Sequence, residues 1–184
     1  MKHVEKVSRR TRVVTGGVAV ALVIGGVGAW SAAASTPAAK PVAAAAAAGN
    51  LTHSTHLTVD AATKAARATL DAAKKANQKV SVAVVDRNGN TLVTLRGDGA
   101  GPQSYESAVK KAYTAVSWNA PTSELVKRLD SAPTLKDIPG TLFLAGGAPV
   151  AAEGAPVAGI GVAGAPSGDQ DETFARAGAA ALAE

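Results

Sequence analysis

The 184-residue sequence predicts an α+β domain in which helices pack on an antiparallel sheet. Three observations carry that expectation. VSVAVVDRNGNTLVTLR reads as a β-hairpin, alanine-rich helical segments flank it, and a second pair of apolar strands precedes a terminal helix. The predicted order over residues 51–184 is α-β-β-α-α-β-β-α.

Thr58 is placed to cap a helix over 59–76, which Asn77 ends. In the hairpin, Asn88-Gly89 fits a two-residue type I′ turn, because both central positions need positive φ. That turn pairs Arg87 with Asn90, so Val84 faces Val93 and Val82 faces Leu95. One sheet face is then apolar, with Val80 added. The other carries Ser81, Ala83, Val85, Leu92, Thr94 and Arg96. A helix follows over about 104–119, then a short one over 122–130 capped by Thr122 behind Pro121. Pro133 and Pro139-Gly140 mark a long loop. Strands are expected at 141–146 and 156–163, joined through APVAAEGA, and a last helix at 170–182.

Residues 1–34 read as an export signal: a basic start, an apolar run from Val13 to Ala29, and Ala32-Ala33-Ala34 as an A-x-A-like cleavage site. Ser8-Arg9-Arg10 suits the twin-arginine pathway, although Arg12 stands where that pattern prefers an aromatic residue or leucine. An uncleaved membrane anchor is the alternative, weakened by five glycines in the run. Residues 35–50 form a Pro/Ala-rich tether. The expected location is therefore secreted, with cell-envelope association as a variant.

The formal charge of +5 belongs to this leader, where five basic residues face one acid; the remainder holds 14 basic and 13 acidic residues. A balanced domain gives no support for a nucleic-acid partner. Cysteine is absent, Met1 is the only methionine, and the histidines are His3, His53 and His56. No core His or Cys is present to build a triad or a Cys–His dyad, and no nucleophile–base pair is visible.

On the helix at 104–119, Tyr105, Ala108, Val109, Ala112 and Val116 share a stripe expected to face the sheet. Ser107, Lys110, Lys111, Thr114 and Trp118 gather on the opposite side. A solvated helix back has no need of tryptophan, so part of this side should be covered. Two readings stay open: a subunit contact, or a site for a flat anionic ligand with Lys110 and Lys111 pairing carboxylates and Trp118 supplying apolar area. His53 and His56 are a candidate metal pair in a tail. Asp169 and Glu172 form a D-x-x-E arrangement whose hard oxygens suit iron(III), set against a capping role for Asp169 at a helix start.

VSVAVVDRNGNTLVTLRGDGAGPQSYESAVKKAYTA, IPGTLFLAGGAPV and PVAGIGVAGAPSGDQDETFARAGAA together resemble the GlcG/HbpS family, also called the haem-degrading domain, over nearly all of 57–184. The leader and SWNAPTSEL…APTLKDIPG make the chain most similar to secreted haem-binding members from filamentous actinobacteria. The resemblance implies a profilin-like α+β fold in a homo-oligomer, expected to be an octamer, with haem as cofactor and iron ions as a further ligand. It also implies haem degradation under peroxide, and modulation of the extracytoplasmic part of a sensor histidine kinase in oxidative-stress sensing. Haem contact carries over to Thr114, with Tyr113 and Lys111 beside it. Other relatives are tied to glycolate genes or corrinoid enzymes, so a small-acid or corrinoid module is a further alternative. Whether the protein is itself an enzyme stays open at this point.

Overall fold

In the computed structural model, which describes residues 43–183, Thr58 opens helix α1 (Val59–Lys75) by accepting a hydrogen bond from the Ala61 N–H. Asn77, at φ 55°, turns the chain out of the helix as expected. The export-signal expectation and the tether up to residue 42 lie outside the described residues. No helix among the described residues is long and apolar enough to cross a membrane.

Strands β1 (Ser81–Asp86) and β2 (Thr91–Arg96) pair antiparallel, with Val82 opposite Leu95 and Val84 opposite Val93, the expected register. The turn differs. Asn88 does not have positive φ; Gly89, at φ 86°, does. The Gly89 N–H donates to the Asp86 carbonyl, and the Asp86 carboxylate accepts from the Asn88 and Asn90 N–H groups. Aspartate at the first position favours such a type I turn over type I′. The pairing therefore tightens to Val85 opposite Thr91, and a bulge at Leu92 restores the register. The bulge also moves Leu92 from the half-polar face, where alternation put it, onto the apolar cluster with Val93 and Leu95.

Helix α2 (Pro102–Trp118) begins with Pro102 in its first turn and ends at Asn119 in the left-handed region. Helix α3 is shorter than expected, Thr122–Val126, and continues as 3₁₀ turns at Lys127–Asp130 and Pro133–Asp137. Thr122 does not cap it; its hydroxyl accepts from the Gly147 N–H at 2.8 Å instead. The third strand is displaced. Residues 141–146 are irregular, and β3 is Gly147–Ala152, within what reads as a connecting loop. Glu153 (φ 52°) and Gly154 (φ 78°) form the tight turn into β4 (Ala155–Ala163), so paired positive φ values occur in this hairpin. Helix α4 (Gly168–Ala180) starts two residues early because Ser167, not Asp169, caps it through the Gln170 N–H.

The four strands form one antiparallel sheet in the order β2-β1-β4-β3, which confirms the α+β class. Helices α1 and α4 cover one face, packing Ala62, Ala65, Ala66, Phe174 and Ala175 on Val80, Val82, Val84, Ile160 and Val162. Each fully buried Val or Ile of this kind contributes on the order of 1.5–3 kcal/mol. Helix α2 covers the other face through Ala108, Ala112 and Val116 on Ala83 and Val85. It approaches β4 so closely that a Cβ at Gly159 or Gly161 would collide with the Ala112 or Ala108 carbonyl. The glycine-rich sequence of β4 thus admits a helix backbone. Tyr105, expected in the buried stripe, is 48% exposed, and its hydroxyl accepts from Thr94 on the edge strand β2.

Candidate functional site around the outer side of helix α2

The side of α2 turned away from the sheet is covered, but by the chain's own loop. Residues 138–146 cross it as a strap between Gly140 (φ 81°) and Gly146 (φ 128°). Thr114 is fully buried beneath this strap. Its hydroxyl donates to the Lys110 carbonyl and accepts from the Leu142 N–H, both at 2.8 Å. The threonine therefore latches the strap to the helix. Trp118 meets Phe143 of the strap edge to face, with ring centroids 5.2 Å apart and planes at 68°. The need for tryptophan on this side is thereby met within the chain. Tyr113 lies between two positive-φ glycines, Gly89 of the first hairpin and Gly140 of the strap; a Cβ on either would touch its ring.

The two lysines part company. Lys110 is partly exposed and pairs with Glu106 one turn earlier at 2.7 Å. Lys111 is buried, and its ammonium bridges α2 to α4 and β4: it donates to Asp171 Oδ2 at 2.9 Å and to the Val162 carbonyl at 3.0 Å. Asp171 Oδ1 in turn accepts from the Ala165 N–H. Gly146 is required at this point, since its φ is 128° and a Cβ there would stand 2.7 Å from the Val162 carbonyl oxygen that Lys111 bonds.

Of the acidic pair, Asp169 is exposed while Glu172 is buried and already engaged. Its carboxylate accepts from the Ser123 N–H and hydroxyl and pairs with Arg176 at 2.7 Å. Burial by itself raises the Glu172 pKa, but the bonds from Arg176 and Ser123 outweigh it and hold the group below its ordinary range. His53 and His56 are exposed, and the His56 Nε2 lies 2.7 Å from the Ser54 hydroxyl. Among the described residues, no three His, Cys, Asp or Glu side chains gather as a metal cluster.

What the structure brings together is a cleft of about 400 Å³ beside the strap. Lys111, Ser123, Val126, Leu144, Ala145, Gly168 and Asp169 line it. It joins two residues singled out by sequence, Lys111 and Asp169, to five that were not. Asp171 was missed because the helix frame was taken from Asp169; Ser167-x-x-Gln170 is the cap signal that turns Asp171 and Glu172 inward. Leu144, 55% exposed, gave no signal, since 141–146 read as a strand.

The family model described as haem degrading protein HbpS-like matches residues 57–180. A crystal structure of a double mutant of HbpS from Streptomyces reticuli superposes with a TM-score of 0.76 and 79% identity, covering 79% of this chain and 99% of that one. The structure of a PduOC:heme complex superposes with a TM-score of 0.63 and 28% identity, covering 69% of this chain and 95% of that one. An uncharacterized 15.0 kDa protein in the dhaT-dhaS intergenic region of Citrobacter freundii is 33% identical over 113 residues, 59% of this chain and 80% of its own length. The chain belongs to the HbpS-like family.

Proposed function

We propose that this member of the HbpS-like family is an exported haem-binding protein that also takes up iron ions and modulates a sensor histidine kinase during oxidative stress. The observation that carries the reading is 79% identity to HbpS along almost the whole of that chain, joined by a relative solved as a haem complex. The leader sequence supports export, and the HbpS likeness supports a homo-oligomer, proposed as an octamer.

The residues fit haem as a peripherally held group rather than one enclosed by a single protomer. No internal cysteine or methionine offers a strong axial ligand, and the histidines within the described residues, His53 and His56, lie exposed in the segment before α1. Leu144 presents apolar surface for a porphyrin face, and Lys111 in the cleft lining suits a propionate. In this proposal Thr114, Tyr113, Lys111, Lys110 and Trp118 act at the strap side of α2. Thr114 holds the strap that shapes the surface, and its own oxygen becomes available only if the Leu142 latch opens. Bound haem would supply redox-active iron; the chain's part is to hold and orient it. Haem titration by absorbance on the mature protein, with the oligomer's mass measured alongside, tests the reading.

The family description favours a second reading, peroxide-dependent haem degradation with release of iron. Catalytic loss of the Soret band, many turnovers per protomer, would select it; stoichiometric loss would leave the binding role. A haem-independent module for a small acid or a corrinoid would gain if the purified protein bound such a ligand but no haem.

A further inference from the structure

We propose that the cleft between α3, the strap and the start of α4 is a binding site for a carboxylate group carried on a small apolar body. The proposal rests on the cleft itself, and the haem reading is not needed for it. One lining residue is a charged donor with spare capacity: an ammonium has three N–H bonds to give, and Lys111 commits two, to Asp171 and the Val162 carbonyl. Lys111 is 5% exposed and lines this cleft. Side walls are apolar, from Val126, Leu144 and Ala145. The first-turn residues Gly168 and Asp169 of α4 complete the lining, with Gly168 packed against Ala145. Ser123 gives its hydroxyl proton to Glu172, so it presents only lone pairs to the cleft.

The charge balance sets the character of the site. Asp171 already neutralises Lys111, and Asp169 places a second carboxylate on the rim. The site is therefore a weak, reversible one, in which a desolvated hydrogen bond to Lys111 and apolar contact offset repulsion from Asp169. The volume of about 400 Å³ accommodates roughly a dozen non-hydrogen atoms, taking about 30 Å³ for each. That suits a free aliphatic or aromatic monocarboxylic acid, or the propionate edge of a haem whose ring stays outside against Leu144.

The test uses the full mature protein and two probes. In the first arm benzoate and hexanoate are titrated by calorimetry; in the second, haem is compared with its dimethyl ester by absorbance. Val126→Trp fills the cleft while leaving Lys111 and Asp171 themselves unsubstituted, and Lys111→Met removes the donor. Saturable acid binding that both variants weaken by roughly tenfold or more supports the free-acid source. Preference for haem over its ester, abolished by Val126→Trp, supports the propionate source. Asp169→Asn removes rim repulsion and strengthens either by about two- to fivefold. The proposal is overturned if neither probe responds to Val126→Trp in a folded protein, or if Asp169→Asn weakens binding. Haem binding that is tight but indifferent to esterification and to Val126→Trp would leave the haem reading standing and remove this site.

Discussion

Lys111→Met is a substitution with a large consequence for the fold. In the native protein the Lys111 and Asp171 side chains are 6% and 4% exposed and 2.9 Å apart, so each charge has the other as its close partner where little water reaches. Methionine fills much the same volume, and the loss is electrostatic rather than steric. Asp171 retains only the Ala165 N–H, a single donor to one of its oxygens. Breaking a buried pair from one side costs about 3–5 kcal/mol, because the remaining charge stays desolvated. For a domain of this size that lowers Tm by roughly 10–20 °C at fixed protomer concentration. Urea denaturation followed by circular dichroism reads the same loss as a shift in midpoint at constant slope. The double variant Lys111→Met/Asp171→Asn removes the stranded charge, keeps an acceptor for Ala165, and is expected to regain more than half of the loss. The reasoning is refuted if Lys111→Met is as stable as the parent, or if the double variant is less stable than the single one.

Three further outcomes are expected. Glu172 is held below the unfolded glutamate value of about 4.3, so its contribution is complete above that pH and is lost as pH falls through the lowered native pKa. Glu172→Gln should therefore flatten the acid limb of stability against pH, but only in part. Asp86 is a second such carboxylate: burial raises its pKa, and the bonds from Asn90 and Asn88 more than reverse this. An unchanged acid limb in Glu172→Gln would show that the carboxylate is not held as described. Gly161→Ala drives a methyl into the Ala108 carbonyl and should cost on the order of 1–3 kcal/mol or prevent folding; a parent-like Tm would contradict the close approach of α2 to β4. Removing the chain through His56 should reduce iron uptake and leave haem binding intact. Equal iron uptake by the shortened protein would eliminate the His53 and His56 proposal.

How much of this was legible in the sequence depended on whether a signal was local. The α1 cap at Thr58, the stop at Asn77 and the Val82–Leu95 and Val84–Val93 register follow from short-range chemistry, and they hold. The type I′ assignment failed because Asp86, just before the turn residues, offers its own carboxylate to the backbone. Strand β3 was misplaced because Gly147-Ala148-Pro149 looks like loop, whereas an edge strand tolerates proline. On α2, periodicity correctly put Ala108, Ala112 and Val116 on the sheet and set Thr114 and Trp118 apart from them, but it misplaced Lys111, whose ammonium turns back to the Val162 carbonyl of β4. It carried no information on what covers that second group. The strap, the Leu142 latch and the Asp171 partner are contacts between positions 28 or 60 residues apart, which a helical wheel does not register.

The central claim is haem binding, and the most direct measurement is an absorbance titration of haem into the mature protein and into Thr114→Ala. Thr114→Ala leaves the part-buried Leu142 N–H without its acceptor, a cost of about 1 kcal/mol that loosens the strap without unfolding the domain. The account predicts a saturable Soret shift with a fixed haem-to-protomer ratio in the parent, and weaker uptake by the folded variant. Equal affinity in the variant would remove Thr114 and its strap from the site. A parent whose Soret band never saturates would contradict haem binding itself.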